Sequence, residues 1–148
     1  MGYNYYLNEN LQYLDLSYNY LQKLVLVNMN KLKILNLQNN LLTLETIYGS
    51  ISSQLRKLIL DFNSIHMINT TFITENNSLE ILSIQSNEFL LNNSNVFQYL
   101  NKLKKLNLAR NNIQIIPKGN YMKFALSSLS FFFFFFFQDE KYCLIKIC

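Results

Sequence analysis

The chain has 148 residues, half of them hydrophobic, and a formal charge of +4 at pH 7. That length and apolar content support one domain with a packed core and exclude an intrinsically disordered chain. The positive charge is too small for the footprint of a nucleic-acid binder, and its densest cluster, Lys102, Lys104, Lys105 and Arg110, reads as a solvated face.

The amino-terminal stretch MGYNYYLNENLQYLDL has no basic region followed by an apolar run, so no secretory signal is legible in it. Gly2 is followed by Tyr6 where a myristoylation motif needs Ser or Thr. Two cysteines, Cys143 and Cys148, make no disulfide framework and stand at no metal-ligand spacing. The expectation is a chain in a reducing, intracellular compartment, cytoplasmic or nuclear.

From residue 11 the sequence repeats itself. LQYLDLSYNYL, LKILNLQNNLL, LRKLILDFNSI, LEILSIQSNEF and LKKLNLARNNI share the pattern L-x-x-L-x-L-x-x-N-x-L, with Ile or Phe at some apolar positions. The asparagines, Asn19, Asn40, Asn63, Asn87 and Asn111, follow one another at steps of 21, 23, 24 and 24 residues. Within each segment the fourth and sixth positions are apolar and the residues between them are mostly polar, the period of a short strand with one buried face. Strands are expected near residues 13–16, 34–37, 57–60, 81–84 and 105–108. Leu14 and Leu16, Leu35 and Leu37, Leu58 and Leu60, Leu82 and Ile84, and Leu106 and Leu108 should point inward. One such unit cannot bury its apolar edge alone, and stacking the units in parallel makes a continuous core. The asparagine falls where the chain leaves the strand. Its amide both donates and accepts, which suits a column of side chains satisfying the backbone groups of the turn.

The return segments are less regular. Phe97, Leu100, Leu103 and Leu106 recur at steps of three, as do Leu26, Met29, Leu32 and Leu35, whereas ETIYGSISSQL has no clean spacing and Asn76 interrupts the next run. Units this short leave no room for long helices, so irregular or short helical turns are expected there.

These repeats resemble the leucine-rich repeat family over about residues 11 to 117, with the period of its phosphatase-regulator and receptor-type varieties. The resemblance implies an α/β solenoid: a curved parallel sheet of short strands, an irregular or short-helical convex side, and the asparagines as a structural ladder. It implies a leucine-rich repeat domain over residues 1–117 that binds a protein partner on its concave face, in a regulatory or scaffold role and as a monomer.

With the leucines turned inward, the remaining strand positions form the outward columns. The residues expected to meet a partner are Tyr13, Asp15, Tyr18, Ile34, Asn36, Lys57, Ile59, Phe62, Ile81, Lys105 and Arg110. Ile34, Ile59 and Ile81 with Tyr13, Tyr18 and Phe62 give an apolar and aromatic centre, and Lys57, Lys105 and Arg110 a charged rim, the composition of a protein-binding surface. Catalysis finds no support. His66 is the only histidine, and no acid or nucleophile accompanies it at a usable spacing. No nucleophile elbow, phosphate loop or metal-ligand cluster is present, so no catalytic, cofactor or metal residue is assigned and no nucleic-acid partner is expected. Sequons at Asn69, Asn76 and Asn92 number about what chance supplies with 22 asparagines, and they say nothing about compartment.

Residues 118–148 break the rule. FALSSLSFFFFFFF, Phe124 to Phe137, is uncharged but shorter than the roughly 20 residues of a spanning helix. A membrane anchor through this stretch is the weaker reading. Phenylalanine codons are pyrimidine-rich and Gln138 can be written CAG, so the segment from about residue 120 to 138 reads as translated intron, or else as a disordered tail. A second view of the whole chain follows: a non-autonomous fragment of a larger repeat protein, since neither YNYYLNEN nor the residues after Pro117 look like the polar caps that close a solenoid.

Overall fold

A computed structural model describes residues 9–49, 52–67, 78–90 and 100–112. The tail from 118 onward, both cysteines, Pro117, Phe97, Asn76 and the three sequons lie outside the described residues.

Seven short strands are present: β1 (Tyr13–Asp15), β2 (Leu24–Leu26), β3 (Ile34–Asn36), β4 (Ile47–Gly49), β5 (Lys57–Ile59), β6 (Ile81–Ser83) and β7 (Lys105–Asn107). Five of them, in the order β1-β3-β5-β6-β7, form one parallel sheet. Each repeat contributes one strand to it, and the order in the sheet is the order in the chain. The expected four-residue strands are three residues long, but the ladder runs on past them. Leu16 N–H donates to the Asn36 carbonyl, Leu37 to Ile59, Leu60 to Ser83 and Ile84 to Asn107, all at 2.8–2.9 Å.

The central leucine of each strand in this five-stranded sheet is buried, and so are Leu37, Leu60, Ile84 and Leu108 two residues on. Leu16 is the exception. It is only partly buried, just past β1 at one end of the described sheet. The step-of-three runs close the core from the return side: Leu26, Met29, Leu32 and Leu35 are all buried, as are Leu100, Leu103 and Leu106. In ETIYGSISSQL the apolar place three residues ahead of Leu55 is taken by Ser52. It is tolerated there because its hydroxyl donates to the Asn30 carbonyl at 2.8 Å and accepts from the Gln54 N–H at 3.2 Å.

Two features differ from expectation. The α/β label overstates the helix: among the described residues the one helical element is a 3-10 turn, Leu44–Thr46. The return side also holds a second parallel sheet, β2 with β4. Leu24, Leu26 and Ile47 are buried beneath it, and Lys23 Nζ sits 4.6 Å from the centre of the Tyr48 ring. Gly49 fits this sheet because it is glycine. Its φ is +96°, and a Cβ there would lie 2.0 Å from the Leu26 carbonyl oxygen.

Candidate partner-binding face

Register alone sets the outward rows. Tyr13, Ile34, Lys57, Ile81 and Lys105 are paired across the sheet at the first strand position, and Asp15, Asn36, Ile59, Ser83 and Asn107 at the third. Because the residue between them is buried, both rows face outward. All-parallel sheets usually have both faces packed; among the described residues nothing covers this one. Ile34, Asn36, Lys57, Ile59 and Ile81 are half-buried by their neighbours, while Tyr13, Asp15 and Lys105 are exposed.

A third row stands where the chain leaves the sheet. Tyr18, Asn39, Phe62, Ser86 and Arg110, each one residue ahead of a repeat asparagine, all have φ between 52° and 55°. This left-handed conformation turns the following asparagine inward, and it costs a residue with a side chain about 1–2 kcal/mol. The asparagine amide offsets it. Asn63 Nδ2 donates to the carbonyls of Leu60 and Asp61 in its own repeat and of Leu37 in the repeat before, and its Oδ1 accepts the Leu42 N–H. Asn40, Asn87 and Asn111 repeat the pattern. Among the described residues the Asn19 side chain, in the first repeat, bonds only to the carbonyls of Leu16 and Ser17. Tyr18, Phe62 and Arg110 in this row are exposed, Tyr18 by 75% and Phe62 by 39%, whereas Asn39 and Ser86 are half-buried.

Polar contacts knit the rows together. Asp15 Oδ1 accepts the hydroxyl and backbone N–H of Ser17, and Oδ2 accepts from Asn36 Nδ2 at 3.1 Å and Tyr13 Oη at 3.0 Å. The Ser17 hydroxyl leads these donors in holding the Asp15 carboxyl down at about 2. The same carboxylate raises the Tyr13 hydroxyl above its ordinary value. Asp61 goes the other way: burial pushes its carboxyl up, against the Ser83 hydroxyl and the Gln85 N–H, which reaches Oδ1 at 2.7 Å.

The basic cluster read from the sequence is divided by the fold. Arg110 follows the carboxyl end of β7, whereas Lys102, Lys104 and Lys105 lie at its amino end. There they join Lys33, Arg56 and Glu80, which occupy the same position ahead of β3, β5 and β6. Backbone bonds fix that row: the Gln12 carbonyl accepts from Lys33 and Ile34, that of Lys33 from Arg56 and Lys57, that of Arg56 from Glu80 and Ile81, and that of Glu80 from Lys104 and Lys105. The sequence reading gives neither this row nor Asp61 a role. The signal was in the alignment, as the second position of each repeat (Gln12, Lys33, Arg56, Glu80, Lys104), but only the register shows that it forms one edge.

His66 is exposed, with Nδ1 3.3 Å from Glu88 Oε2. Among the described residues no three His, Cys, Asp or Glu side chains are grouped to hold a metal ion, and no helix is long and apolar enough to cross a membrane.

Residues 53–113 match a family model described as leucine rich repeat, and residues 10–30 match a second model of the same description. The chain belongs to the leucine-rich repeat family. The leucine-rich repeat carrying β3 falls between the two matches, yet β3 pairs with β1 and β5 in the common register. No curated protein matches the chain. Leucine-rich repeat domains generally mediate protein–protein interaction, and the repeats are typically binding modules rather than enzymes.

Proposed function

We propose that the chain is a protein-binding module whose partner docks on the outward face of the five-stranded sheet, with a regulatory or scaffold role. One observation carries this: Ile34 and Ile81, in one row on either side of Lys57, and Ile59, diagonal to both in the other row, share a parallel sheet face that no described residue covers, flanked by the exposed rings of Tyr13, Tyr18 and Phe62. Aliphatic side chains held rigid by a strand ladder, with aromatic residues at the margin, form the kind of patch that anchors a partner. Asp15, Asn36, Lys57, Lys105 and Arg110 supply the polar surround that sets orientation. The curvature typical of the family would make this the concave side.

The test is a photo-crosslinking amino acid placed at Ile59 and, separately, at exposed Tyr48 on the return-side sheet. The reading expects one partner to be captured from Ile59 and lost on Tyr18→Ala, Phe62→Ala substitution. Equal capture from both positions, unaffected by the double substitution, sinks it.

A further inference from the structure

Charge on the sheet is polarised along the strands. Lys31 and Lys33 lie at the amino end of β3, Arg56 and Lys57 at that of β5, and Lys102, Lys104 and Lys105 at that of β7. Because the strands are parallel these ends share one edge, at about 4.8 Å per strand. Among the described residues the acids on this edge are Glu9 and Glu80, whereas Asp15 and Asp61 stand toward the opposite end. The edge is therefore strongly cationic although the chain is not.

The structure shows what such an edge accepts. Glu80, from the chain itself, is bound by Lys104 at 2.7 Å, and Lys104, Arg56 and Lys102 together hold its carboxyl below the ordinary range. A carboxylate at this position is thus already at home. The row directly beside the edge, Tyr13, Ile34, Lys57, Ile81, Lys105, carries one ring at its β1 end and alternates aliphatic and cationic from there, rather than offering the successive flat rings on which nucleic-acid bases stack. Lys31 Nζ donates to the neutral amide of Asn10 at 2.6 Å and Lys33 Nζ to that of Gln12 at 2.9 Å, contacts that leave their charges uncompensated.

We infer that the partner is an acidic protein segment, seated with apolar side chains on Ile34, Ile59 and Ile81 and with carboxylates over the basic edge formed by Lys33, Arg56, Lys57, Lys104 and Lys105. This deepens the reading of the outward face as the docking surface and rests on it. Charge complementarity of this type sets orientation and speeds encounter.

The experiment selects a random linear-peptide library, displayed on phage, against the full chain. The selected peptides are then measured on Lys33→Gln/Arg56→Gln/Lys104→Gln and on Ile59→Ser, each checked by circular dichroism for an unchanged fold. Expected are peptides rich in Asp and Glu interspersed with Leu, Ile, Val or aromatic residues. They should bind the triple variant about tenfold more weakly, and binding to the wild type should weaken as salt screens the edge. Neutral or basic selected peptides, or equal affinity for the triple variant, overturn the inference. If those peptides are still lost on Ile59→Ser, the docking face stands and only the acidic partner falls. If Ile59→Ser changes nothing, the docking face falls with it. Tighter binding of poly(dT) or of phosphatidylserine vesicles than of the selected peptides also overturns it. Recovery no better than from bare support counts against both readings.

Discussion

Asn87 donates its side-chain amide to the carbonyl of Leu60, in the preceding repeat, at 2.9 Å. The same amide donates to Ile84 and Gln85, and its oxygen accepts the Ile65 N–H at 2.9 Å, so one buried side chain closes its own turn and fastens it to the preceding repeat. Leaving buried polar groups without partners costs about 1–3 kcal/mol each. Asn87→Ala should therefore lower stability by about 3 kcal/mol in urea unfolding. Asn19→Ala should lose under about 1 kcal/mol, since Asn19 is exposed and, among the described residues, its side-chain amide bonds only to carbonyls of its own repeat. Equal losses at the two sites would contradict the ladder as an inter-repeat fastening.

The left-handed residue ahead of each ladder asparagine offers a second test at Arg110, whose side chain is exposed. Arg110→Gly should stabilise the fold by about 0.5–1 kcal/mol by relieving the conformational penalty. Arg110→Val should cost at least about 1 kcal/mol, because a β-branched side chain tolerates positive φ worst. The order Gly, Arg, Val in denaturation midpoint is the checkable result.

At Gly49 the constraint is steric. An alanine Cβ would meet the Leu26 carbonyl 2.0 Å away, and backbone cannot swing aside as a side chain would. Gly49→Ala should cost at least about 2 kcal/mol. Faster amide exchange should be centred on β2 and β4 rather than on the five-stranded sheet. Uniform loss of protection across both sheets would show the second sheet to be integral to the first.

Two aspartates on the face are shifted in opposite directions. Asp15 is held at about 2 by the Ser17 hydroxyl and its other donors, below the unfolded value of about 3.9. Its stabilising contribution is present above about pH 4 and lost as pH falls toward 2. Asp61 is raised by burial, so the folded chain takes up that proton more readily than the unfolded chain, and protonation favours the fold. Carboxyl-carbon NMR during acidification should show Asp61 protonating well before Asp15. Asp61→Asn at pH 7 should leave the Tm equal or higher, because an amide oxygen can still accept the Gln85 N–H. A marked fall in Tm would show the ionised carboxylate to be the stabilising form.

Much of the architecture was legible because the repeat constrains the same few positions five times. The alternation of Leu35, Asn36 and Leu37 states which face is buried, and the recurrence of that triplet states that neighbouring strands run parallel. The return side was less legible. Its second sheet arises from LVL in one segment and IYG in another, without a shared pattern, and its pairing depends on Gly49 letting two backbones approach. Asp61 escaped notice for a similar reason. Repeat position gives it the same rank as Ser17 and Gln38, and only packing makes it a half-buried carboxylate.

The sequence by itself determined the solenoid, the inward leucines and the places where asparagine ends each strand, since periodicity and side-chain chemistry act locally and identically in every repeat. The tertiary structure decided the charge. Lys33, Arg56 and Lys104 are more than 20 residues apart in sequence and look like scattered solvated cations. Parallel register brings them to one edge at strand spacing, and it sends Arg110 to the opposite end from the lysines just before it. Electrostatic potential depends on distance in space, and in a solenoid that distance is set by stacking.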